Sequence, residues 1–298
     1  MKILHINTMD YGGAAKACLR LHQGLLLEGV SSKVLLRYKT SQIPEGYLFT
    51  ASNLVEMLKV KLRRLRKELK YFSKQERLEI TLNEQRKGLE CFSYPFAPTD
   101  ITQSLLYKEA DIIHLHWVAH FLDWKSFFAK NRKPIVWTLH DQNPFLGIEH
   151  YAERFFGIDE NGKPISRKYT PQEIAEEKKM ISFKKKVLEK VDNLIIVTPS
   201  KWLLEESKKS EVLGKYPHYH IPYGFPTEFF KPYNKFFCRE VLGLPQEKKI
   251  ILFVADNVDN HRKGFVFLEK ALEKIENKEV ILCTIGSKKA TIANKANL

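Results

Sequence analysis

Cysteine is scarce in this chain: Cys18, Cys91, Cys238 and Cys283 are the four in 298 residues, and no two stand at Cys-x-x-Cys spacing. That argues against a zinc ribbon or a disulfide framework and for a reducing, cytoplasmic setting. Long apolar runs are absent too; none approaches the ~20 residues that a membrane-spanning helix needs. The opening Met1-Lys-Ile-Leu-His-Ile-Asn7 is too short and too strand-like for a secretory leader. Gly-x-Gly-x-x-Gly is missing, as is the later ribose-binding acid, which places a nicotinamide oxidoreductase last among the enzyme readings. No nucleic-acid recognition module and no basic–aromatic stacking platform occurs, so no nucleic-acid partner is expected.

Acidic residues are in the minority, 35 against 49 lysines and arginines, for a formal charge of +14. The excess favours anionic partners. It is densest where Lys59, Lys61, Arg63, Arg64, Arg66, Lys67 and Lys70 interleave with Leu58, Leu62, Leu65 and Leu69. These leucines have helical spacing, and the stripe over 58–70 admits two readings. One is a surface helix packing its leucines on a domain; the other is an interfacial helix resting on an anionic membrane surface. With 44% hydrophobic and 28% charged residues, the composition is otherwise that of a globular protein.

The most informative stretch is 111–151. Asp111-Ile-Ile-His-Leu-His-Trp117 and Pro134-Ile-Val-Trp-Thr-Leu-His-Asp141 are short Ile/Val-rich runs without clean alternation, flanking a helix-sized segment at 121–130. Such runs suit strands buried on both faces of a parallel sheet. A βαβ unit then brings His114, His116, His140 and Asp141 to or beyond the carboxyl ends of its strands, where open α/β sheets bind ligands. Glu149 and His150 follow, and either face an acceptor or line a loop. Trp117, Trp137 and Trp202 read as packing residues.

Upstream, a strand over 2–7 runs into Asp10-Tyr-Gly-Gly-Ala-Ala-Lys16, a helix ending near Gly29, and a strand over 33–38. The paired Gly12 and Gly13 let the backbone approach a ligand and offer helix N–H groups to an anion. Downstream come a polar loop over 157–169, a capping box at Thr170-Pro-Gln-Glu173, a strand over 193–198, a helix capped by Ser200, and a short strand over 218–221. Pro222, Gly224, Pro226 and Pro232 make a linker-like stretch, after which the βα pattern restarts: helix 236–242, strand 249–255, helix 264–275, strand 279–285. The tail from Ala290 reads as a frayed end. The expected organisation is α/β, with an N-terminal Rossmann-like domain over 1–225 and an incomplete second one over 226–298.

Taken together, Gly12-Gly-Ala-Ala-Lys16, Asp111-Ile-Ile-His-Leu-His-Trp117, Thr138-Leu-His-Asp-Gln-Asn-Pro-Phe-Leu-Gly147, Thr198-Pro-Ser-Lys-Trp202, Ile221-Pro-Tyr-Gly224, Phe230-Lys-Pro232 and Arg262-Lys-Gly-Phe265 resemble GT-B glycosyltransferases of the retaining family 4 class. The bacterial members of that class build polysaccharides, capsules and glycolipids. The resemblance implies two Rossmann-like domains, an acceptor on the N-terminal side and a nucleotide-sugar on the C-terminal side. It gives Gly12, Gly13, Arg262 and Lys263 to the donor, with His140 and Asp141 as the catalytic pair. His114, His116, Glu149 and His150 fall to a saccharide or lipid-linked acceptor. It implies no cofactor and no catalytic metal, and the chain carries no Asp-x-Asp motif. The class has an acidic Glu-x7-Glu segment and a returning helix that would follow Leu298. The chain is therefore expected to be C-terminally truncated and inactive alone, or to be a non-catalytic relative that binds an acceptor, a membrane or a partner.

Overall fold

The computed structural model describes residues 1–50, 65, 68, 74–85, 89–258, 260–275, 279–286 and 292–294. The basic stripe over 58–70 lies outside the described residues except for Leu65 and Glu68. No described helix is long and apolar enough to cross a membrane. The chain divides into two compact units. The first comprises Met1–Arg86, Glu90–Ala152 and Tyr169–Gly224; the second comprises Lys87–Leu89, Glu153–Lys168 and Phe225–Leu298.

The first unit is organised on a seven-stranded, wholly parallel sheet. Its strands are β1 (Lys2–Met9), β2 (Ser31–Tyr38), β3 (Gly46–Leu48), β4 (Ile112–Leu115), β5 (Ile135–Thr138), β8 (Leu194–Thr198) and β9 (His218–His220). The spatial order is β3-β2-β1-β4-β5-β8-β9. This is the mixed α/β, Rossmann-like sheet that the short apolar runs predict. The order reverses between β1 and β4, and the crevice outside the carboxyl ends at such a reversal is where open sheets hold ligands.

The connecting helices are α1 (Gly13–Leu27), α2 (Lys74–Gln85), α3 (Leu105–Glu109), α4 (Trp124–Lys130), α5 (Pro171–Leu188) and α6 (Lys201–Lys209). Their starts follow side-chain chemistry. Asp123 accepts from Ser126 N and Ser200 from Leu203 N, while Thr170 and Glu173 bond reciprocally as a capping box. Asp100 caps a single 3-10 turn, Ile101–Gln103, and α3 starts after Ser104. The core joins strand residues such as Leu4, Ile113, Leu115 and Trp137 to Phe127 of α4, Leu188 of α5 and Leu203 of α6. Trp137 packs edge-on to Trp124 with ring centroids 5.0 Å apart, as its packing reading required. Trp202, also read as a packing residue, is 59% exposed, because α6 buries Leu203 and Ser207 instead.

In the second unit, β10 (Lys249–Val254) pairs parallel with β11 (Val280–Ile285) through α8 (Phe265–Glu273), and α7 (Lys235–Val241) precedes them. Ile292–Asn294, within the stretch expected to fray, adds an antiparallel strand, β12, to β11. The segment read as a loop over 157–169 holds the antiparallel hairpin β6 (Phe155–Ile158) and β7 (Pro164–Ser166). It belongs to this second unit: Phe156 meets the His261 ring at 5.0 Å, and Lys270 Nζ donates to Glu160 O at 3.2 Å.

Candidate active site

The site in the first unit starts from the bond pattern that carries β1 and β4 past their ends. His116 N donates to Ile6 O, Thr8 N to Trp117 O, and Thr8 Oγ1 to Ala119 O, while Asn7 Oδ1 accepts from Trp117 N. The two strand ends are thus fixed to each other at the reversal. β5 finishes at Thr138, and His140 and Asp141 stand just beyond it.

Histidines line up there. His5 Nδ1 and His116 Nε2 are 3.0 Å apart, His116 Nδ1 and His140 Nε2 are 3.0 Å apart, and His140 Nδ1 meets the Tyr223 hydroxyl at 2.6 Å. The rings stack as they bond: His116–His140 centroids are 5.3 Å apart and His140–Tyr223 5.5 Å. His114 stacks on His116 at 4.3 Å and bonds Thr138 Oγ1 at 2.8 Å. Burial, with repulsion among neighbouring rings, lowers His5 and His116 well below the ordinary imidazole range. Burial with the His140 ring beside it takes His114 to about 3, and burial takes His140 to about 4 against the opposing pull of Asp141. All four rings are neutral at physiological pH. The Tyr223 phenol is pushed up by burial and by the nearby Asp141, so it keeps its proton.

Asp141 is buried and fully engaged. Its Oδ2 accepts from Trp117 Nε1 at 2.9 Å and from His150 Nδ1 at 2.5 Å, and its Oδ1 accepts from Asn143 N at 3.0 Å. The His150 Nδ1 facing that carboxylate supplies the hydrogen of their bond, and its Nε2 lies 2.9 Å from Ser93 Oγ. Glu149 is buried and bridges to Phe92 through the backbone. The structure therefore places His116 and His150 behind His140 and Asp141, as their supports, not at the surface.

The loop that carries His140 and Asp141 is held from α5. Glu177 accepts from Gly147 N and, at 2.8 Å, from Ile148 N. Lys184, wholly buried, donates to Asn143 O at 2.5 Å and Leu146 O at 2.8 Å, with its ammonium 5.1 Å from the Trp124 ring centre. Gly147 is required here by contact, since a Cβ would sit 2.2 Å from Glu177 O. Desolvation takes Lys184 down to about 7, against the pull of Glu177 and Asp141.

Gly12 and Gly13 lie in the turn from β1 into α1. Gly12 has φ +85°, and a Cβ on either residue would meet nothing within 4 Å, so the turn is open. α1 begins without a side-chain cap or an acidic residue in its first turn. Asp10 ties this turn to the strand after it by accepting from Thr40 and Ser41, each through backbone N–H and hydroxyl. Burial raises the Asp10 carboxyl, but those bonds outweigh it and the net shift is downward. In the second unit, Arg262 and Lys263 fall in a 3-10 turn, His261–Lys263, capped by Asn260 and followed by Gly264 at the start of α8.

Among the described residues, His5, Cys18 and His116 are the group whose ligand atoms lie close enough, within 4.8 Å of one another, to share a metal ion. Two imidazoles and a thiol would suit zinc or copper(I), not magnesium or calcium. His5 and His116 are already bonded to each other, however. His5, Tyr223 and Lys184 were not singled out as site residues by sequence. The sequence signals present are a histidine at position 5 inside the otherwise apolar Ile3–Ile6 run and the place of Tyr223 within the Ile221-Pro-Tyr-Gly224 motif.

No protein-family model matches this chain, and no curated protein does. Among solved structures it is similar to WaaG, described as a glycosyltransferase involved in lipopolysaccharide biosynthesis, with a TM-score of 0.48 and 10% identity. The match covers 96% of this chain and 64% of that one, so the chain spans less than two thirds of that protein's length.

Proposed function

We propose that the chain is a retaining, metal-independent glycosyltransferase of the family 4 kind, moving a sugar from a nucleotide-sugar donor to a saccharide or lipid-linked acceptor in bacterial surface polysaccharide synthesis. The observation that carries this is the neutral, hydrogen-bonded row ending in His140 and Tyr223, set at the strand-order reversal of a parallel sheet. It lies in a chain whose ordered motifs resemble that class. A neutral imidazole and a phenol recognise hydroxyl-rich ligands by hydrogen bonding without adding charge.

In this reading Gly12 and Gly13 bring backbone to the donor, and His140 contacts the transferred sugar. Asp141 serves by fixing the loop, because its oxygens are spent on Trp117, His150 and Asn143. A departing nucleoside diphosphate gathers negative charge that fixed cations stabilise, the role assigned to Lys263 and Arg262. No cofactor takes part beyond the donor. In this reading the protein works in the cytoplasm, and the basic stripe over 58–70 either packs on its domain or rests on the inner face of the membrane.

The test is transfer of label from a panel of nucleotide-sugars to saccharide and lipid-linked acceptors, with donor binding followed by calorimetry. Donor binding or transfer that drops at least tenfold in both His140→Ala and Lys263→Ala is the expected result. No binding and no transfer with any donor would leave the other reading, a non-catalytic binder of acceptor, membrane or partner.

A further inference from the structure

Each neutral imidazole carries one N–H and one bare nitrogen, so a row of them has a direction. The links His5–His116, His116–His140 and His140–Tyr223 use both nitrogens of His116 and both of His140. Two directions are available. If Tyr223 donates inward, every hydrogen points to the core and His5 Nε2 ends the row as an N–H. If the row runs outward, His5 Nε2 is a bare lone pair and each ring donates from Nδ1 towards the edge.

The inner end decides between them. His5 Nε2 is buried and has no hydrogen-bond partner. A buried N–H without an acceptor is the rarer and costlier defect; an under-used acceptor is better tolerated. Cys18 adds to this. Its sulfur lies within 4.8 Å of ring nitrogens of His5 and His116, and burial raises its pKa, so it remains a thiol, a weak donor.

We propose that His5 and His116 are positioning residues that hold His140 with its proton on Nδ1, so that Tyr223 accepts from His140 and turns its own hydrogen outward as a donor to a ligand oxygen. The direction of the row stands on the bond geometry and the unpartnered His5 Nε2, independently of any substrate. That the oxygen belongs to a nucleotide-sugar rests on the glycosyl-transfer reading. Tyr223 is 42% exposed, and His140 is its one hydrogen-bond partner among the described residues, so its hydrogen can point to a ligand.

Long-range proton–nitrogen NMR on the full chain, labelled at histidine, reads the tautomers without any assay of activity. His5, His116 and His140 should all show the Nδ1–H form. An Nε2–H form of His140 in the unaltered protein would overturn the proposal. His116→Leu removes the donor that occupies His140 Nε2, so the Nε2–H form of His140 should grow; an unchanged His140 signal would mean that His116 merely packs. Tyr223→Phe should keep His140 folded in place and weaken the binding of whichever nucleotide-sugar the chain takes by about three- to tenfold, one neutral hydrogen bond. Unchanged affinity would refute the outward donor. If the unaltered chain binds no nucleotide-sugar while the tautomers are as expected, the glycosyl-transfer reading fails and the direction of the row stands.

Discussion

Strands β4 and β10 are both short apolar runs in parallel pairing, yet the two units treat them differently. Ile113 and Leu115 of β4 are sealed in the core, whereas Leu252 and Val254 of β10 are 57% and 63% exposed. The same holds for helices: α4 buries Phe127 and Phe128, while α7 leaves Phe236 and Phe237 in water. An apolar run is enough to make a strand, because its hydrogen bonds come from its neighbour. What the run contributes to stability depends on the layers laid over it, and those are supplied in full only to the first unit among the described residues.

The largest expected effect is a direct test of that contrast. Leu115→Ala should cost about 2–5 kcal/mol, the transfer term plus a cavity that packed neighbours cannot close. Leu252→Ala, with more than half of the side chain already wet, should cost less than about 1 kcal/mol. Hydrogen exchange followed by denaturant would check it, with β4 amides exchanging only on unfolding of the first unit and β10 amides by smaller openings. Equal costs for the two leucines would break the comparison.

Each unit also holds a cation on backbone carbonyls, and these should differ in their response to pH. Lys184 serves Asn143 and Leu146; Arg239 donates to the carbonyls of Pro245, Gln246 and Lys248. In the folded chain Lys184 titrates at about 7, below its ordinary value of 10.5. Between those values the unfolded chain holds a proton that the folded one has released, so stability rises with pH. The slope approaches about 1.4 kcal/mol per pH unit and is flat below the folded value. Relative to Lys184→Met, the unaltered protein should therefore gain stability from about pH 7 upward. Arg239→Met keeps Lys184 and should run parallel to the unaltered protein, because a guanidinium does not titrate in this range and its loss adds no pH dependence. Melts of the three proteins at pH 7, 8 and 9 give the answer, and parallel curves for all three would show that Lys184 keeps its proton when folded.

Much of this architecture is legible in sequence, for local reasons. Short Ile/Val runs, Thr170 with Glu173, and Ser200 each act within a few residues, so strands β4 and β5 and the starts of α5 and α6 can be read directly. His140 and Asp141 could be placed past a strand end by the same means. What could not be read depends on partners remote in the chain: His5 meets His116 across 111 residues and His140 meets Tyr223 across 83. Lys184 looked like one more charge on a lysine-rich helix, and only the loop folded against it makes it a buried post. The hairpin of β6 and β7 was hidden for another reason. A two-stranded ribbon outside both main sheets needs no buried apolar face, and its Gly/Pro punctuation looks the same as that of a loop.

The smallest expected effect is one in which the two units should agree. Helix caps act through a single side chain and the first turn, so their worth should not depend on how deeply the helix is covered. Thr170 accepts from Glu173 N at the start of α5 in the first unit, and Asn234 accepts from Phe237 N at the start of α7 in the second, at 3.2 and 3.0 Å. In each case alanine leaves one helix N–H without its side-chain acceptor. Each substitution should cost about 1 kcal/mol of its own unit's stability. Thr170→Ala should sit at the upper end, because the reciprocal bond from Thr170 N to the Glu173 carboxylate, at 2.8 Å, loses its geometry with the cap. Local exchange rates of the first-turn amides, compared before and after substitution, separate the two helices. A cost several-fold larger in the first unit would show that burial amplifies even a terminal hydrogen bond, and the contrast between the units would then extend beyond their cores.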